Sequence, residues 1–277
     1  MASEYGLRQP DYDEDSLGIF QSKVDGSYIG KFVNVDLSTI QGIKRAQRLN
    51  LVESKMADVI SMEMLYQNDR IFNEENGKRG RIFIIFADPV QRAVGRYHFI
   101  SNATWSKEFN PKVSKMSIGE YAESKYIQDN PMVRLLTNTQ RGKEVTDLEL
   151  ELAKRIIQLK CLVGMYDDID NSVTRFDRYF SWEVLAGRNS NNAKEGLSPQ
   201  QTAKQRREKI QKCSNETTRV GDRWLDMQTT IQGTRIQEGS DVWNRLAKSN
   251  QMDLKLYEFA KFVYKRQAEH IFEEVSS

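Results

Sequence analysis

Residues 79–99 read RGRIFIIFADPVQRAVGRYHF, and the fold of the chain turns on this stretch. Ile82, Phe83, Ile84, Ile85 and Phe86 form an unbroken apolar run between the basic Arg79-Gly80-Arg81 and Asp88-Pro89. A run without polar alternation, rich in Ile and Phe, suits a strand buried on both faces of a parallel sheet. Pro89 fits the first turn of a helix, where its missing N–H costs nothing. Val90, Val94 and Tyr97 then recur at helical spacing. Strand, tight turn and helix in this order is where an α/β protein commonly binds a phosphate.

Upstream, residues 28–36 (YIGKFVNVD) read as a short strand and residues 56–61 (MADVIS) as another. Ser38 or Thr39 caps the helix between them, whose inner face is Ile43, Ala46 and Leu49. Met62, Leu65, Tyr66, Asp69 and Phe72 follow at helical spacing, and Asn76-Gly77 marks a turn. Downstream, Ser117 with Glu120 and Thr146 with Glu149 have capping-box spacing, and Pro131 opens a further helix. Residues 159–165 (LKCLVGM) read as a fourth strand and residues 172–180 as a helix. The expectation is an α/β fold in which 29–36, 57–61, 82–87 and 159–165 form one mostly parallel sheet, flanked by helices on both faces.

Residues 1–26 are an acidic lead with Asp11, Asp13, Glu14 and Asp15, expected to be solvated and partly mobile. Residues 27–277 read as a single domain, interrupted at about 187–222 by a polar insertion. Within it Lys204, Arg206, Arg207 and Lys209 lie on one exposed helix, which is either a surface for an acidic partner or a solvated face. The C-terminal helix, residues 254–272, carries a core stripe of Leu256, Phe259, Ala260, Val263, Tyr264, Ala268 and Ile271.

The 277 residues carry a net charge of +2, which gives no electrostatic case for nucleic acid. The apolar runs fall short of the ~18–20 residues that span a bilayer. The acidic N-terminus lacks the apolar core of a secretory signal, so the chain reads as soluble. Cys161, in an apolar run, reads as a buried thiol, and Cys161 with Cys213 is too few for a disulfide framework. Two histidines, neither beside a cysteine, argue against zinc, and no metal site is expected. Asn102-Ala-Thr104 and Asn215-Glu-Thr217 match the glycosylation sequon, relevant only in a secretory compartment.

The central stretch also resembles sulfotransferases that use 3′-phosphoadenosine 5′-phosphosulfate (PAPS). Those enzymes carry Arg-(Asp/His)-Pro-x-x-Arg-x-x-Ser at a strand–helix junction, and its first Arg and last Ser hold the cofactor's 3′-phosphate. Here the row is Ala87-Asp88-Pro89-Val90-Gln91-Arg92-Ala93-Val94-Gly95, so Asp88, Pro89 and Arg92 match while both phosphate-holding positions, Ala87 and Gly95, are degenerate. Similar strings recur at Phe32-Val33-Asn34-Val35-Asp36, Gly42-Ile43 with Arg45-Ala46, and Ala57-Asp58-Val59-Ile60-Ser61. Others are Ala103-Thr104-Trp105, Asn130 with Met132-Val133-Arg134, Cys161-Leu162-Val163-Gly164, Arg175-Phe176 with Tyr179-Phe180-Ser181-Trp182, and Asn250 with Asp253-Leu254 and Leu256-Tyr257. The likeness spans about residues 28–185 and 243–272.

It implies a three-layer, P-loop NTPase-like fold and sulfuryl transfer from PAPS to a hydroxyl of a carbohydrate or similar acceptor, in a family often found in the Golgi lumen. The family also opens with a strand and a Pro-Lys-x-Gly-Thr-Thr-like loop for the 5′-phosphosulfate. No such motif occurs in the sequence, and the resemblance implies an N-terminally incomplete fold. Its missing first strand should leave a slot in the sheet, to be filled by residues 17–24, by a protein partner or by a second copy of the chain.

A hydrogen bond to a charged group contributes roughly 1.5–3 kcal/mol. Loss of the Arg and Ser contacts therefore costs about 3–5 kcal/mol, or two to three decades of cofactor affinity. His98, one turn beyond Gly95, is the candidate general base; a packed helix histidine is the other reading, and His270 reads as a surface residue. Asp167, Asp168 and Asp170 cluster where a strand should end, suited to turn and capping duty or to a metal. Three functions are left open: a sulfotransferase, a non-catalytic sulfotransferase-like subunit (a pseudoenzyme with a structural or binding role), and an enzyme for a donor lacking the 3′-phosphate.

Overall fold

A computed structural model describes residues 15–24, 27–57, 59–62, 64–72, 80–104, 106–181 and 235–273. Strands β1 (Ile19–Val24) and β2 (Ser27–Val33) pair antiparallel, with Ile19 opposite Val33 and Phe20 opposite Phe32. The residues between them in sequence are Asp25-Gly26, a pair strongly favoured for two-residue hairpin loops. Helix α1 (Ile40–Arg48) starts at Thr39, whose hydroxyl accepts from the Gly42 N–H at 3.0 Å. Gly42 leaves no room for a side chain, since a Cβ would lie 1.6 Å from the Asp36 carbonyl oxygen. After α2 (Leu51–Ser54) come a 3-10 turn at Leu65–Gln67 and the one-turn α3 (Asn68–Ile71). Ile43, Ala46, Leu51 and Ile71 form a small core here.

Two sequence expectations fail in this lobe. The strand expected at 29–36 belongs to an antiparallel hairpin in a sheet of its own. A short loop closes at small entropic cost, so β2 pairs with its sequence neighbour before any distant strand. The described residues of 57–61 form no strand. Ile60 and Met62 instead pack sideways onto the α1 core, and Val59 is exposed. The helix expected over 62–72 contracts to the 3-10 turn and α3.

The remaining chain builds on β3 (Ile82–Phe86) and β4 (Cys161–Met165), which run parallel in register from Ile82 opposite Cys161 to Phe86 opposite Met165. Between them come α4 (Pro89–Asn102), α5 (Ile118–Ala122), α6 (Pro131–Thr137) and α7 (Asp147–Lys160). After β4 follow α8 (Ile169–Phe180), α9 (Asp241–Ser249) and α10 (Gln251–Glu273). Both capping boxes form as read, and Pro89 and Pro131 open α4 and α6. The fold is thus mixed α/β with a small parallel sheet. Ile82, Ile84, Phe86, Cys161, Val163 and Met165 face a core shared with α6, α7 and α10. On the opposite face Phe83 packs against Phe176 and Phe180 of α8, ring centroids 5.0 and 5.6 Å away.

Two further expectations are corrected. β3 is not buried on both faces: Ile85 is 40% exposed. No slot separates β3 from β4, because the two pair directly and only with each other among the described residues. β1, within the segment offered as a filler, pairs with β2 instead. The far margin of β4 meets a side chain: Gln267 of α10 accepts from the Val163 N–H at 2.9 Å and donates to the Cys161 carbonyl at 2.8 Å. No helix among the described residues is long and apolar enough to cross a membrane.

Candidate functional site

The chain leaves β3 at Ala87 and enters α4 through Asp88, whose carboxylate accepts from the N–H groups of Val90 at 2.9 Å and Gln91 at 2.8 Å. Those N–H groups, together with the helix dipole, are what an incoming phosphate uses at a helix N-terminus. Here an internal anion engages them. Ala87 and Gly95 are half-buried and offer no side-chain donor. Gln91 donates to the Ile236 carbonyl at 3.1 Å, tying the junction to the segment before α9.

Arg92 points inward. Its Nη2 lies 4.0 Å from Oδ2 of the fully buried Asp253, while its own side chain is 27% exposed. Asp253 accepts from the N–H groups of Met132 and Val133, both at 2.9 Å, and so caps α6. Asn130, just before α6, returns the arrangement: its Oδ1 accepts from Met252 at 2.9 Å and Asp253 at 3.2 Å in the first turn of α10. Two helix starts cap each other, with Arg92 as neighbour. Burial pulls the Arg92 guanidinium below its ordinary value against the attraction of Asp253. Burial likewise raises the Asp253 carboxyl, against its two N–H donors and Arg92. Desolvation outweighs attraction in both groups, so the backbone caps are the stabilising contribution here.

The carboxyl ends of β3 and β4 form an acidic rim. Tyr257 donates to Asp167 at 2.9 Å, and Tyr264 donates to Asp168 at 2.8 Å. Burial, then Asp167 and the nearby Asp88, pushes the Tyr257 phenol well above its ordinary value. The exposed Arg235 approaches Asp167 at 3.8 Å. Ser172 accepts from the Met165 N–H at 2.8 Å and closes the turn into α8. Asp167 and Asp168 thus hold tyrosines of α10. Asp170 lies exposed in the first turn of α8, and no cluster of three or more metal-ligating groups occurs among the described residues.

His98 sits half-buried on α4, edge-on to Tyr97 at 5.1 Å, and burial lowers its pKa. Burial pushes the Cys161 thiol up to about 11, in keeping with an inert core cysteine. Lys204, Arg206, Arg207, Lys209, Cys213 and Asn215 lie outside the described residues. A surface groove of about 330 Å³, lined by Tyr66, Pro131, Arg134 and Arg141 among others, opens beside α6. Its Arg134 is engaged by the carbonyls of Asp129, Gln140 and Lys143, so it fastens the loop after α6.

The structure therefore brings Asp88, Arg92, Asn130, Asn250 and Asp253 into one neighbourhood, although the sequence presents them as distant strings. Sequence reasoning missed Tyr257, Tyr264 and Gln267 as polar partners of the β4 segment. The C-terminal helix, expected from residue 254, begins at Gln251, and the acidic Asp253 in its first turn is the signal that could have marked that start. Comparison with protein-family models, with curated proteins and with solved structures finds no match.

Proposed function

We propose that this chain is a sulfotransferase-like protein whose cofactor site no longer supports sulfuryl transfer, and that it serves as a non-catalytic binding or structural subunit. The reading rests on the resemblance of the β3–α4 junction to the PAPS-binding motif and, through it, on a three-layer sulfotransferase-like architecture. The observation that carries the loss of function is that Ala87 and Gly95, at the two phosphate-holding positions, offer no side-chain donor, while the retained Asp88 carboxylate occupies the N–H groups of Val90 and Gln91. The rim of Asp88, Asp167 and Asp168 adds like-charge repulsion against a bisphosphate. Arg92, the cation kept from the motif, is directed at Asp253. PAPS and its product adenosine 3′,5′-bisphosphate then bind weakly or not at all.

Calorimetric titration with adenosine 3′,5′-bisphosphate tests this. The wild-type chain should give no saturable heat at micromolar ligand. Ala87→Arg with Gly95→Ser should gain as much as two to three decades in affinity, following about 3–5 kcal/mol for two restored contacts to a charged group. Micromolar binding by the wild-type chain would overturn the reading.

A further inference from the structure

Helix α7 is apolar on two opposite sides. Leu150, Ala153 and Ile157 are buried in the core. At 3.6 residues per turn, Leu148, Leu152 and Leu159 fall on the other side, and they are 76%, 48% and 73% exposed. The outward side of a surface helix is ordinarily polar. These leucines follow one another at steps of four and seven, the spacing of a helix–helix seam, along roughly 16 Å of axis. The charges are also divided. Asp147, Glu149 and Glu151 occupy the first half of the helix, and Lys154, Arg155 and Lys160 the second.

We infer that this face is a self-association surface, on which α7 of a second copy of the chain packs antiparallel about a two-fold axis near Ala153 and Lys154. Leu148 of each copy then lies against Leu159 of the other, and Leu152 against the aliphatic stem of Arg155. The acidic half of each helix meets the basic half of its mate, with Glu151 on the same flank of the seam as the mate's Arg155. A parallel arrangement would set acid against acid, so the charge pattern selects both the occupant and its direction. An isologous contact of this kind closes on itself as a dimer.

Arg155 and Lys160 are exposed and have no ion pair among the described residues. Glu151 pairs with Lys154 at 2.7 Å, and Asp147 with Lys255 at 3.4 Å, in exposed contacts of the kind that contribute little. Those carboxylates can exchange partners without loss to the fold. The Thr146–Glu149 capping box lies at the end of the helix and is unaffected.

The test is sedimentation equilibrium of the full chain, run between about 1 and 200 μM because one helix pair is a small interface. The weight-average mass should rise from 32.2 kDa toward twice that value. Arg155→Glu with Lys160→Glu, and separately Asp147→Lys with Glu151→Lys, should each stay monomeric. Their equimolar mixture should recover the dimer, which misfolded variants would not do. Leu152→Glu should also be monomeric, with an unchanged melting temperature. A wild-type monomer at every concentration overturns the inference, as does a dimer indifferent to these changes. A Leu152→Glu chain that melts lower without any change in mass overturns it too, since the leucines would then be covered by the chain's own residues.

Discussion

Asp253 does for α6 what Asn130 does for α10, and the two side chains tie the starts of these helices together. Because the folded Asp253 carboxyl holds its proton more tightly than the unfolded one, the sign of its pH dependence follows. Its contribution is full below the ordinary carboxylate value of about 3.9 and is lost as pH rises through the raised folded value. Asp253→Asn removes this dependence and one of the two cap bonds. Urea unfolding should therefore show the variant less stable than wild type by about 1–2 kcal/mol, the scale of one lost cap. The difference should be largest near pH 3 and shrink as the pH is raised toward neutrality. A gap that widens with pH would contradict the assignment.

At the scale of elements, the parallel pair is held to α8 through a glycine. A Cβ on Gly164 would lie 2.6 Å from Cζ of Phe176 and 3.0 Å from Cβ of Ser172. Gly164→Ala must push α8 off the sheet or turn the Phe176 ring, which also packs on Phe83. The expected cost is about 1–3 kcal/mol, as for other overpacked cores, read as a lower melting temperature. A silent Gly164→Ala would mean α8 is loosely seated. The glycine was visible in LKCLVGM, but the reason for it was not, because its neighbours come from a helix eight and more residues on. Helix ends were legible at Ser117, Thr146, Pro89 and Pro131, since a cap is decided within one turn of chain. Strand partners were not. Gln21, Ser22 and Lys23 would be unfavourable in a slot buried on both faces, yet a hairpin strand does not require both faces to be apolar.

Among the described residues three cores are built separately, one around α1, one around β3 and β4, and one among α4, α5 and α9, with the Leu65–Gln67 turn packed near α6 between the first two. Of the candidate site, Asp88 and Arg92 were readable as scaffold, being adjacent in sequence to the strand they serve. Asp253, Tyr257 and Tyr264 were not, because α10 begins 165 residues after the end of that strand, and contacts at such separation leave no local signal. The same helix brings Gln267 to the outer margin of β4, where its amide takes the place of a missing rung. That makes growth of this sheet one-ended. A strand added at β3 meets a sheet whose opposite margin is stoppered, so two copies joined there form a terminated pair and not a seed. Gln267→Leu pulls the stopper. Under mild destabilisation the variant should elongate into thioflavin-binding fibrils at protein concentrations where the wild-type chain stops at small oligomers, and equal fibril growth in both would show that the amide guards nothing.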